Sequence, residues 1–242
     1  MNIFYRILPI LALLLFPVQD LLAGHDRGDR IIAIDIGHTS RVQGARSARG
    51  RGEFQFNLEV GTLLLQELVQ RGYIHSFTIV NPGSLKARTA MAQKRNADLF
   101  ISIHHDSVQS YFLDEWFFNN EKRKYCDLFQ GYSLLVSTRN VKFHRSLYLA
   151  TEIGVGLRRH GLAPTLHHAL EVPGERHHLF QPDLGIYRYD NLVVLRTAPM
   201  PAVLVEVGVI VHREEEWRLR QRARQREVVK AIAEAVDDYW RP

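Results

Sequence analysis

Cysteine is nearly absent: Cys126 is the single one in 242 residues. An intramolecular disulfide is therefore excluded, and stability rests on a packed core and on any bound metal. Internal repeats and low-complexity segments are also absent, so one domain is the default. The first apolar stretch, Ile7 to Phe16 after Arg6, is broken by Pro9 and followed by Pro17 and Asp20. It falls short of the ~20 apolar residues that a bilayer span requires. With Leu21-Leu22-Ala23-Gly24 behind it, it reads as the basic, apolar and small-residue regions of a signal peptide over residues 1–23, leaving 24–242 as the mature chain. An uncleaved amphipathic anchor is the alternative. No cysteine follows the stretch, so lipid attachment of the lipoprotein kind has no acceptor.

Hydrophobic residues make up 46% and charged residues 24%, with a formal net charge of +5. That balance suits a globular chain with one sizeable core. A basic protein exported to the periplasm or cell envelope would meet anionic surfaces such as peptidoglycan carboxylates. Nucleic acid is not expected as a partner. The arginines at 218, 220, 222, 224 and 226 are interleaved or flanked by Glu214, Glu215, Glu216 and Glu227, the pattern of a solvated helix face. Nor does the mature chain carry a stable membrane span.

Short apolar runs alternate with longer helical patterns. Arg30–Asp35, Phe77–Val80, Leu99–Ile103, Tyr132–Ser137, Leu192–Arg196 and Ala202–Glu206 read as strands, while 53–71, 84–96, 145–160 and 213–240 carry helical spacing. This alternation predicts a single α/β domain: a mostly parallel twisted sheet of about six strands with helices on both faces. The Arg/Gly-rich stretch 41–52 reads as a flexible loop.

In such sheets the working groups collect at the carboxyl ends of strands. His38 lies just after the first strand, His104 directly after Leu99–Ile103, and Glu206 closes Ala202–Glu206. A hydrolytic zinc site needs three protein ligands and an open position for water, with a carboxylate nearby to move a proton. His38, Glu53 and His104 can supply the ligands and Glu206 the acid/base. Singly, each ligand has a plainer role: His38 in a loop, Glu53 beside a helix dipole, His104 in the core. Glu206 is harder to dismiss, because a carboxylate within Pro201 to Gly208 is costly to bury without a partner.

These residues carry a family resemblance. The stretch from about Arg30 to Tyr239 resembles the catalytic domain of zinc-dependent N-acetylmuramoyl-L-alanine amidases of the amidase-3 type. The family's I-D-x-G-H-G-G is matched by Ile34-Asp35-Ile36-Gly37-His38-Thr39-Ser40, and its E-x-x-x-N-L by Glu53, Asn57 and Leu58. Its L-x-x-R and A-D-L-F-I-S-I-H are matched by Leu85, Arg88 and Ala97 to His104. Its final block is matched by Val194-Leu195-Arg196 and by Met200 to Glu206 with Gly208.

The resemblance implies one catalytic zinc held by His38, Glu53 and His104. It also implies hydrolysis of the amide between N-acetylmuramic acid and L-alanine in peptidoglycan, by a zinc-activated water with Glu206 as general acid/base. Alternatives are a zinc enzyme cutting elsewhere in the stem peptide and an inactive relative that only binds the cell wall.

Three departures flank the site: Thr39-Ser40 for two glycines, His105-Asp106 for a small residue and Asn, and Val209 to His212 for F-L-S-N. His105 should point away from His104, since adjacent strand residues face opposite sides. Arg46, Arg49 and Arg51 could meet stem-peptide carboxylates, although a solvated loop is the simpler expectation. Residues 107–130 are rich in aromatics and could form a lid, a sugar platform, or a contact for an activator or inhibitory protein. The pairs His167-His168 and His177-His178 are expected in a solvent-exposed loop.

Overall fold

The structure is a computed structural model and describes residues 27–241; the proposed signal peptide lies outside them. β1 (Ile32–Ile36) is fully buried, and its residues, apolar except for Asp35, are what a strand covered on both faces requires. Eight further strands follow: β2 (Phe77–Ile79), β3 (Leu99–Asp106), β4 (Asp114–Phe118), β5 (Glu121–Tyr125), β6 (Ser133–Val136), β7 (Leu179–Gln181), β8 (Ile186–Arg188) and β9 (Ala202–Val209). The main sheet has seven strands in the order β2-β1-β3-β9-β6-β8-β7. Its β2–β1–β3–β9 half is parallel, β6 runs antiparallel to β9, β8 is parallel to β6, and β7 closes the edge antiparallel. β4 and β5 form a separate hairpin.

The helices are α1 (Glu53–Gln70), α2 (Leu85–Lys94), α3 (Phe143–Arg159), α4 (Val193–Thr197), α5 (Arg213–Leu219) and α6 (Arg222–Tyr239). Alternation along the strands divides the core in two. Ile34, Ile101, Leu134, Val203 and Val205 pack with α1, α3 and α6 residues such as Leu64, Ile153 and Ile232. Ala33, Phe100, Leu135 and Leu204 pack on the other face with Ala92 of α2 and Val194 and Leu195 of α4.

The expected α/β domain is present, with four corrections. Leu192–Arg196 is not a strand: Val193–Thr197 is a short helix. An apolar run this short has no periodicity that separates the two states. The buried Asn140 amide fixes the outcome by donating to the carbonyls of Leu195, Ala198 and Met200. The stretch 213–240 is two helices, because the chain turns at Arg220 and Gln221. The edge strands β7 and β8 and the hairpin carried no clear sequence signal.

Finally, 41–52 is pinned rather than free. Ser47 and Arg49 both reach the buried Glu216, at 2.8 and 2.7 Å, and Arg51 pairs with Glu59. Arg49 and Arg51 are thus used internally, while Arg46 stays exposed. The other arginine run, 218–226, is largely solvated as expected. No helix among the described residues is long and apolar enough to cross a membrane.

Candidate metal centre

β3 and β9 set the site. His104 pairs in register with Glu206 across the parallel ladder, so both side chains leave the same face of the sheet, roughly 5 Å apart at the backbone. Both strands continue past these residues, to Asp106 and Val209; the two groups sit within strands rather than at their last residues. α1 delivers Glu53 in its first turn. His38 comes from the loop after β1.

The three groups converge. The Glu53 carboxylate lies between the imidazoles, with Oε1 at 2.9 Å from His104 Nδ1 and Oε2 at 2.8 Å from His38 Nε2. One donor atom from each residue lies within 4.8 Å of the others. Burial would raise the Glu53 pKa, but hydrogen bonds and the charges of His104 and His38 hold it far below the ordinary carboxylate range. Two imidazole nitrogens and one carboxylate oxygen facing one another form a donor set that suits zinc.

The surroundings keep this space clear. A Cβ on Gly37 would strike the His104 ring, and one on Gly44, at φ 73°, would strike Glu53 and His38. His38 itself has φ 64°, a left-handed conformation costly for a non-glycine residue. A buried network holds it there. Arg88 of α2 donates to the His38 carbonyl at 2.5 Å, to the Ile36 carbonyl at 2.6 Å and to Asp35 Oδ1 at 2.6 Å, while Ser102 donates to Asp35 Oδ2 at 2.7 Å. Asp35, Arg88 and Ser102 are the functional supports that sequence reasoning left without a role, although all three stand inside its matched blocks. Asn57 plays a similar part, donating to Glu53 Oε1 and to the Gly37 carbonyl.

Glu206 Oε2 is enclosed and has no hydrogen-bond partner. Burial first, then the like charges of Asp106 and Glu53, push its pKa well above the carboxylate range, and His168 opposes them. His105 turns away as strand alternation predicts. It is buried against Phe56, its Nδ1 lies 2.7 Å from Asn57 Oδ1, and burial pushes it down to about 3. A cavity of about 400 Å³ opens beside His38 and His104, lined also by Thr39, Val42, Leu85 and Val194.

Two outer segments flank this centre, and the histidine pairs of the second depart from the expected exposed loop. Within 107–130, Trp116 donates to the Ala48 carbonyl at 2.9 Å and lies near Arg49 and Arg213, which fastens the hairpin to the 46–51 loop. Of the histidines at 167, 168, 177 and 178, only His178 is exposed. His167 is buried, His168 reaches Asp106, and His177 stacks on Tyr189 with centroids 4.0 Å apart.

Comparison with known proteins follows the same lines. Residues 32–238 match the family model described as N-acetylmuramoyl-L-alanine amidase. The chain is 25% identical over 229 residues to the N-acetylmuramoyl-L-alanine amidase AmiC of Escherichia coli, covering 90% of this chain and 54% of that one. It is 27% identical over 233 residues to AmiC of Neisseria meningitidis, covering 89% and 54%. The chain thus spans about half the length of these two curated relatives. Among solved structures it resembles the N-acetylmuramyl-L-alanine amidase Ami1 of Mycobacterium smegmatis, with a TM-score of 0.65 at 17% identity, covering 87% of this chain and 96% of that one.

Proposed function

Because the chain belongs to the N-acetylmuramoyl-L-alanine amidase family, we propose that it hydrolyses the amide joining N-acetylmuramic acid to L-alanine in peptidoglycan, with one zinc at His38, Glu53 and His104. The observation that carries this reading is the convergence of three donor atoms within 4.8 Å beside a carboxyl oxygen, Glu206 Oε2, that nothing else uses. Zinc held there would polarise a carbonyl and lower the pKa of a water.

The chain's own groups do the rest. The 400 Å³ cavity next to His38 and His104 receives the substrate and brings the lactyl carbonyl to the site. Glu206 accepts the proton of the attacking water and returns it to the L-alanine nitrogen as the C–N bond breaks. A carboxyl whose pKa is raised by burial and by like charges is suited to hold a proton and release it within one cycle. Asp35, Arg88 and Ser102 hold the His38 loop in place, and Asn57 orients Glu53.

The same reading assigns residues 1–23 to a cleaved signal peptide and the mature domain to the periplasm or cell envelope, where peptidoglycan lies. It also keeps 107–130 as the segment for an activator or inhibitory protein contact; Tyr111 and Phe117 there are 54% and 74% exposed. Zymography on purified peptidoglycan tests the reading. Clearing is expected with the purified chain, loss on chelation and recovery on adding zinc; clearing that survives chelation would contradict it.

A further inference from the structure

A second cluster lies further along β3 from the ligands already described. Asp106 leaves β3 two residues beyond His104, and its Oδ2 faces two imidazoles at once. His168 Nε2 is 2.9 Å away and His167 Nε2 is 3.5 Å away. One donor atom from each of the three residues lies within 4.8 Å of the others. The two rings are tilted by 39° to each other, centroids 4.0 Å apart.

Both imidazoles are held from behind. His168 Nδ1 lies 2.9 Å from Glu175 Oε2, and Glu175 in turn accepts from Gln109 at 3.1 Å. His167 Nδ1 lies 2.8 Å from Thr165 Oγ1. Carboxylate or hydroxyl partners on the outer nitrogen are the usual means of orienting a metal-binding histidine. Phe129 stacks on His167 and the Tyr187 ring stands edge-on to His168, so the rings are fixed in a partly apolar shell.

Of the three inner atoms, one is left over. A hydrogen from His168 Nε2 satisfies one lone pair of Asp106 Oδ2. His167 is 98% buried, and its Nε2 still has no hydrogen-bond partner. An unpartnered buried nitrogen costs free energy. A cation between Asp106 Oδ2 and the two Nε2 atoms would give His167 Nε2 a partner, taking the place of the proton that His168 Nε2 shares with Asp106 and releasing it to solvent.

From this geometry we infer a second metal site in this chain, formed by Asp106, His167 and His168, that takes a divalent first-row transition ion of the zinc class. Two imidazoles and one carboxylate select such an ion over calcium or magnesium, which prefer all-oxygen shells. The ion ties the 165–175 loop to β3 next to Glu206. It is independent of the His38, Glu53 and His104 site, since no ligand is shared.

Metal counting decides the matter. The purified chain is stripped with chelator, dialysed against limiting free Zn²⁺ and assayed by inductively coupled plasma mass spectrometry. Two zinc ions per chain are expected. Asp106→Asn and His167→Gln should each hold one, and His38→Ala should also hold one, through the second site. Should the first two variants fail to fold, the chain carrying His38→Ala, His104→Ala and His178→Ala decides: one ion retained supports the second site, and none overturns it. One ion in the wild type with none in His38→Ala overturns the inference. So does a wild-type count that Asp106→Asn and His167→Gln leave unchanged, which would place any extra zinc on surface groups such as His178.

Discussion

Arg88 and Glu206 show how differently single side chains act here. Arg88 is 5% exposed and its partner Asp35 is 1% exposed, so Arg88→Met leaves a buried carboxylate with only Ser102 for company. A loss of about 3 kcal/mol in folding stability is expected by chemical denaturation, with weaker zinc binding because the His38 carbonyl is released. Glu206→Gln should behave in the opposite way. Its fold and metal content should stay at wild-type level while peptidoglycan hydrolysis falls by at least a hundredfold, the scale of a lost acid/base; residual activity near wild type would remove Glu206 from the chemistry.

At this scale the matched blocks named His38, Glu53, His104 and Glu206; the first three converge within 4.8 Å, and Glu206 stands level with His104 on the neighbouring strand. They did not give Asp35, Arg88 and Ser102 a task, because a buried hydrogen-bond network depends on strand register and helix placement. His167 and His168 were misread as solvent-exposed for a related reason: their inward turn is set by Asp106, more than fifty residues earlier in the chain.

The elements carry a pH dependence of their own. α5 is capped by His212, whose side chain accepts from the Glu214 and Glu215 amides. Glu215 then reaches across to accept from the Val209 and Gly131 amides, at 2.9 Å each. Burial pushes the Glu215 carboxyl up from 4.5 to about 7 even though those two amides pull it down. The folded chain therefore keeps this proton to about pH 7, whereas the unfolded chain releases it near 4.5. Stability from this group should fall as pH rises through that window, by about 3 kcal/mol at ~1.4 kcal/mol per unit. Glu215→Gln should flatten the slope in denaturation curves taken from pH 4.5 to 7.5; an unchanged slope would assign the titration elsewhere.

The long strands and the α1, α2 and α3 helices were legible because their periodicity is sustained over several turns or a full buried run. β7 and β8, at three residues each, are too short to show a period. Leu192–Arg196 failed for the same reason, and the break at Arg220–Gln221 has no proline or glycine to mark it.

On the scale of the whole molecule, one sheet aligns His104 and Glu206, and the turn into α1 adds Glu53. The face served by α2 and α4 leaves a cavity open beside His38 and His104. If 107–130 restrains access through its hairpin, replacing Asp114–Tyr125 by a short linker should raise basal hydrolysis several-fold; no change or a loss would make the hairpin a platform or a support instead. The fold class was readable from alternation alone, while the choice of bond to be cut rests on the cavity, whose walls come from five separate segments.

The bond itself is therefore the point to measure. Purified peptidoglycan digested with the zinc-loaded chain, then analysed by mass spectrometry, should yield stem peptides that begin at a free L-alanine and sugars that end in a free lactyl carboxyl. Products cut within the stem, with L-alanine still attached to the sugar, would contradict the assignment.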